Sequence, residues 1–343
     1  MMLSPRSISA AMVAAAAAVA LAAPAAPPRS IKELASEHRF TAQQRADIRG
    51  NAESWCAKIG SQKPEEVDEA RARLFEPLRA VQVTQEFRFE YAQAALPCLV
   101  KVVGNGGPHT AVNAMQIVAL LGTPQSLEII VAHLSADDEK RMCVRLSAAN
   151  GFAPAVRVGI IPENDVNKAL RLLEKAAGRE EDPWVLQRQF EAIASVDSAV
   201  SREIQVNVLR SVTSRMQKQG GPSNLMQATF PALILIRNKY IDLTGEEQKA
   251  MGKSLAPVLH DLCTVAQGHW ERAQAEDSAR ISYGGAVNVS ENLLKLIDTR
   301  VRPAQAGPRS EMWPAWSDRD KARFVNGHDA WGLVLAAPPY AGP

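Results

Sequence analysis

From Ser30 onward, apolar residues recur with a period of about 3.6, that of a helix burying one face. The stretch from His109 to Gly151 shows it best. Ala114, Ile117, Val118 and Leu121 form one stripe; Leu127, Ile130, Val131 and Leu134 form a second; Met142, Leu146 and Ala149 form a third. Punctuation separates them. Gly122 suits the left-handed position after a helix end, Thr123 can cap, and Pro124 can open the next helix. Asp137 and Asp138 predict the third start, where carboxylates meet the positive end of the helix dipole, and Gly151 predicts its end. Ser30-Ile-Lys-Glu33 and Thr41-Ala-Gln-Gln44 read as capping boxes. Further amphipathic stretches follow Pro162-Glu163 and Asp182-Pro183, then cover 199–219, 223–240, 245–272 and 286–300. No strand is predicted.

Helix starts at Thr84, Thr123, Pro162 and Ser201 fall 39 residues apart, with the next near Thr244. Loops this short join antiparallel neighbours. A repeated two-helix unit of about 40 residues predicts an all-α chain, an α-solenoid of antiparallel helical hairpins. About five to six units fit between residues 30 and 300.

One segment has a more particular character. In SADDEKRMCVRLSAANGF (135–152), an Asp at the turn, then Val-Arg, paired small residues and an apolar residue resemble the second helix of a HEAT repeat. Asp138, Val144, Arg145, Ala148 and Ala149 stand at the matching places. Asp182 and Arg188 repeat the pattern loosely, and Leu96-Pro97 and Ala256-Pro257 resemble the proline of a unit's first helix. The resemblance implies a right-handed stack of hairpins and a scaffold or binding role; it carries no catalytic residues. Asp138 is expected to cap its helix and Arg145 to reach a neighbouring unit's Asp or carbonyls. Arg145 and Arg188 in an anion-binding groove is the alternative.

Composition sets the limits. The 343 residues carry 39 Lys and Arg against 37 Asp and Glu, too balanced for a dedicated nucleic-acid binder. Arg6 and the uncharged run from Ile8 to Ala23 resemble a secretory signal peptide spanning 1–26, with cleavage expected between Ala22 and Ala26. The expected destination is a periplasm or the exterior, with no membrane span after cleavage. After Arg300 the composition changes: residues 301–343 hold Trp313, Trp316 and Trp331, half of the six tryptophans, among six prolines. This tail reads as a cap for the last helices or, through Trp313 and Trp316, as a docking or sugar-stacking element.

Residue patterns that carry chemistry are sparse. His260 and Cys263 share a helical face but His269 falls opposite, so no metal site is predicted. Nucleophile-elbow, Walker and dinucleotide motifs are missing, the 104–108 glycine stretch lies between helices, and no cofactor is expected. Of the four cysteines, Cys56 with Cys98 is the favoured bridge, Cys98 with Cys143 the second, and four buried thiols the alternative. The expected function is that of an exported, non-catalytic scaffold or adaptor binding another protein. Its groove candidates are Asn113, Gln116, Arg145, Arg188 and Gln227. A cell-envelope glycan binder is the alternative, followed by an unrecognised enzyme.

Overall fold

The structure, a computed structural model, describes residues 30–341 apart from Pro222, Ala306 and Arg309; the expected signal peptide lies outside these residues. Among the described residues the chain is all-helical, with sixteen helices and no strand. In order they are α1 (Ile31–Leu34), α2 (Ala42–Ile59), α3 (Pro64–Leu78), α4 (Gln85–Asn105), α5 (Pro108–Leu121), α6 (Pro124–Ala132), α7 (Met142–Arg157) and α8 (Glu163–Ala177). Then come α9 (Pro183–Ala194), α10 (Ala199–Gln217), α11 (Leu225–Asp242), α12 (Gly245–Gly268), α13 (Trp270–Ala275), α14 (Asp277–Val301), α15 (Met312–Asp318) and α16 (Lys321–Leu335).

Local chemistry sets most starts. Both capping boxes form, and the Thr84 and Thr123 hydroxyls each accept from the amide three residues on. Gly122 takes φ 62° at the end of α5; a Cβ there would stand 2.5 Å from Val158. Asp182 accepts from the amides of Trp184 and Val185 and opens α9.

Three sequence expectations fail for reasons of packing. Ser201 does not open α10: Ser198 caps it, and the buried Ser201 hydroxyl instead donates to Ile193 O at 2.6 Å. Asp137 and Asp138 lie in a turn; α7 begins only at Met142, after Arg141. Arg141 is held by earlier chain, its guanidinium donating to the Val103 and Gly106 carbonyls near the end of α4 at 2.7 Å each. Gly151 does not end α7, which runs on to Arg157. There the missing side chain admits a neighbour: a Cβ would lie 2.9 Å from that of Ala119 on α5.

Helices pack against those two places along. α2 contacts α4, α4 contacts α6, α6 contacts α8, α8 contacts α10, and α10 contacts α12. Likewise α3 contacts α5, α5 contacts α7, α7 contacts α9 and α9 contacts α11, while α11 contacts α14, three places along because the short α13 intervenes. The core between them is built chiefly from Ala, Leu, Ile and Val, with Phe152, Phe190 and Tyr240 among its larger members. The tail folds back: α15 lies on α14, and α16 on α12 and α15. None of the described helices is long and apolar enough to cross a membrane.

Candidate functional site: the exposed face of alternate helices

Arg145 is buried on α7 and binds both carboxylate oxygens of Glu180, at 2.9 and 3.0 Å, from the loop before α9. The same guanidinium donates to the carbonyl oxygens of Glu139 and Lys140. Glu180 in turn accepts from the amides of Glu181 and Asp182. Arg145 thus ties α7 to the loop before α9, through a Glu rather than the expected Asp.

Other arginines make related contacts. Arg88 donates to Leu120 O at the end of α5, Arg215 to the carbonyls of Gly178 and Glu180, and Arg272 to Gly220 O. Leu120 and Gly178 lie in or beside the last turn of a helix, whose carbonyls lack partners within it, and Glu180 and Gly220 lie in the loops beyond. At the Arg141 corner, the guanidinium and backbone amide of Arg141 donate to Glu139, holding its carboxyl down at about 2 although burial opposes this.

The remaining groove candidates separate. Asn113 is buried, its amide donating to His109 O at 2.9 Å. Gln116 is half-buried on α5 and accepts from Arg71 at 3.3 Å. Arg188 is half-buried and pairs with Glu191 on its own helix. Gln227 is exposed on α11. Gln116, Arg188 and Gln227 therefore keep surface on α5, α9 and α11, which contact α7 and one another in succession, while Asn113 and Arg145 do not.

Large apolar side chains accompany them. Met142 is 43% exposed in the first turn of α7, and Trp184 is 63% exposed in the first turn of α9. Between α3, α5 and α7 lies a groove of about 380 Å³, lined by Phe75, Arg79, Gln116, Leu120, Cys143 and Leu146 among others. The Arg79 guanidinium sits 4.7 Å from the centre of the Phe75 ring. Cys143 is a half-buried free thiol, whereas Cys263 is fully buried, which pushes its thiol pKa up.

Where this face ends, at α11, α14 and α15, a second groove of about 510 Å³ opens. Two glycines shape it. A Cβ on Gly284 would meet Trp316 at 2.7 Å and Trp313 at 3.1 Å; one on Gly285 would meet Phe230 at 2.9 Å. Rings can therefore lie against the bare backbone of α14 on both sides. Trp316 is buried, packed edge-on against Trp270 at 4.8 Å, with its indole N–H donating to Arg280 O. It belongs to the core and is not available to stack on a sugar. Trp313 is 37% exposed. The amides of Met312 and Trp313 donate to the buried carboxylate of Glu291, which fixes the start of α15.

The structure joins Cys56 and Cys98 in a disulfide linking α2 to α4, Cα atoms 6.2 Å apart, beside a cleft of about 620 Å³. Of the histidines singled out by the sequence, His260 stacks on His328 with ring centres 4.1 Å apart, and His269 shares hydrogen bonds with Tyr283 and Gln219. Among the described residues no group of three or more His, Cys, Asp or Glu is placed to hold a metal ion.

No known protein family matches the sequence, and no curated protein is similar to it. One solved structure, described as "Computational Design of Self-Assembling Cyclic Protein Homooligomers", aligns over 89% of this chain and 96% of its own, at 10% identity and a TM-score of 0.22. A likeness that low bears on neither fold nor assembly.

Proposed function

We propose that the chain is an exported, non-catalytic scaffold: a HEAT-like α-solenoid of about five to six hairpins that binds another protein along the face of α3, α5, α7, α9, α11 and α14. The succession of contacts between alternate helices supports the solenoid reading, since each unit of such a stack touches only its neighbours. The inter-unit tie of Arg145 to Glu180 agrees with it. The observation that carries the binding role is the run of exposed surface on one set of helices. Gln116, Met142, Trp184 and Gln227 come from four of them, with a groove near each end. Met142 and Trp184 are large apolar side chains left exposed on the neighbouring helices α7 and α9, and exposed apolar surface of this kind marks interaction sites.

A photo-crosslinking amino acid placed at Gln116 or Trp184 of the full chain tests this in the producing cell. A defined protein adduct is expected from both positions and none from Glu163 on α8. Adducts from Glu163 alone, or recovery of the uncrosslinked chain from every position, would refute the reading.

A further inference from the structure

The groove at the α11–α14–α15 junction has walls of one chemistry and charges of one sign. Its apolar lining is Phe230, Ile281, Trp313 and Trp316, and its charged lining is Arg280 and Arg319 with no carboxylate. Ile281 is 68% exposed, so an apolar surface is already presented to a visitor. Arg280 is engaged by Asp277 at 2.7 Å. Arg319 is exposed, makes no ion pair among the described residues, and sits at φ 60°, in the left-handed region. The remaining polar lining side chain is the Ser317 hydroxyl.

We propose that this groove is a binding site for a peptide segment of the partner that presents an acidic side chain beside a large apolar one. The apolar residue lies between Trp313 and Phe230 over the bare backbone at Gly284 and Gly285. The carboxylate pairs with Arg319, which has no carboxylate of its own to surrender. The lining argues against a neutral sugar: hydroxyl groups need acceptors as well as donors, and the groove supplies guanidiniums and a single hydroxyl. The proposal rests on the protein-binding reading above and narrows it to one anchor.

Random twelve-residue peptides displayed on phage and selected on the full chain provide the probe. Selected sequences are expected to combine Asp or Glu with an adjacent Leu, Phe or Trp. Against the most enriched peptide, synthesised, Trp313→Ala and Arg319→Asn are each expected to raise Kd about tenfold or more, since anchors of this kind dominate binding energy. Asn tolerates the left-handed backbone, so the second variant removes charge without disturbing the turn. Replacing the peptide's acidic residues by Gln is expected to do the same, and Leu172→Ala, at an exposed apolar residue of α8, is expected to leave Kd unchanged. Enriched peptides lacking acidic residues, absence of enrichment, a Kd indifferent to both groove variants, or tighter binding of an oligouronate would each overturn the proposal. Adducts at Gln116 and Trp184 without peptide binding would sink the groove alone; peptide binding without those adducts would sink the extended face.

Discussion

Between α7 and α9 neighbouring helices are tied by charge; between α14 and the last helices they are closed by rings. The first junction buries Arg145 and Glu180 and spends every hydrogen bond of the pair on each other or on nearby backbone. The second gathers Trp270, Tyr283, Trp316 and Phe324 into one cluster. The first junction is specified by directional bonds, each with a fixed partner. The second is specified by area, since aromatic side chains bury the most surface per residue.

The charged junction is most sensitive at Arg145. Arg145→Ala leaves Glu180 buried without its counter-charge and is expected to lower unfolding free energy by about 3–5 kcal/mol, measured by urea titration. A double variant, Arg145→Met with Glu180→Leu, recovers only part of that loss. The Glu139 and Lys140 carbonyls and the Glu181 and Asp182 amides stay unpaired. Full recovery would show that the backbone bonds at this junction contribute nothing.

Overpacking the ringed junction comes next. Gly284→Ala forces a Cβ against Trp316 and is expected to cost about 1–3 kcal/mol, with loss of near-ultraviolet circular dichroism from the tail tryptophans. Gly151→Ala, against Ala119, is a matched control between α5 and α7: a similar cost without that optical change would separate the regions.

Acid sharpens the contrast by a smaller amount. His260 lies against His328, whose Nε2 shares a hydrogen bond with Thr264, while Asp261 and Asp329 carry the nearby carboxylates. Burial first, and then the charge of His328, lowers the His260 pKa below its ordinary 6.5. The folded chain resists a proton that the unfolded chain accepts. This contribution to stability is therefore complete above pH 6.5 and lost as pH falls toward the folded value. Melting temperature should fall with acidification in that window, and less steeply in His260→Phe. At the low end, Trp184→Ala should change stability by no more than about 0.5 kcal/mol, because the residue packs little, while reducing the adduct captured from Gln116.

The helical class was legible in the sequence because caps and stripes are local signals: Thr41, Thr84 and Thr123 act within one turn of themselves. Ser201 misled because a hydroxyl suits a cap and a buried bond to Ile193 O equally well. Gly151 misled because the reason for the glycine lies on another helix. Arg145 was legible as a tie to a distant part of the chain, but its partner lies 35 residues on and could not be named. The stacking of His260 on His328 spans 68 residues and left no sequence signal. Of the tail pair, Trp316 and Trp313 look alike in sequence; only packing sends one into the core and leaves the other at a groove.

The arginines also bear on synthesis. Arg141 completes the end of α4, Arg215 reaches a carbonyl at the end of α8, and Arg272 reaches one just past α10. In each case the donor follows its acceptor by 37 to 52 residues. A chain emerging from the ribosome therefore carries carbonyls whose side-chain donors are translated later. A nascent polypeptide stopped between such an acceptor and its donor leaves those carbonyls to water, and the bond forms only when the donor has left the exit tunnel.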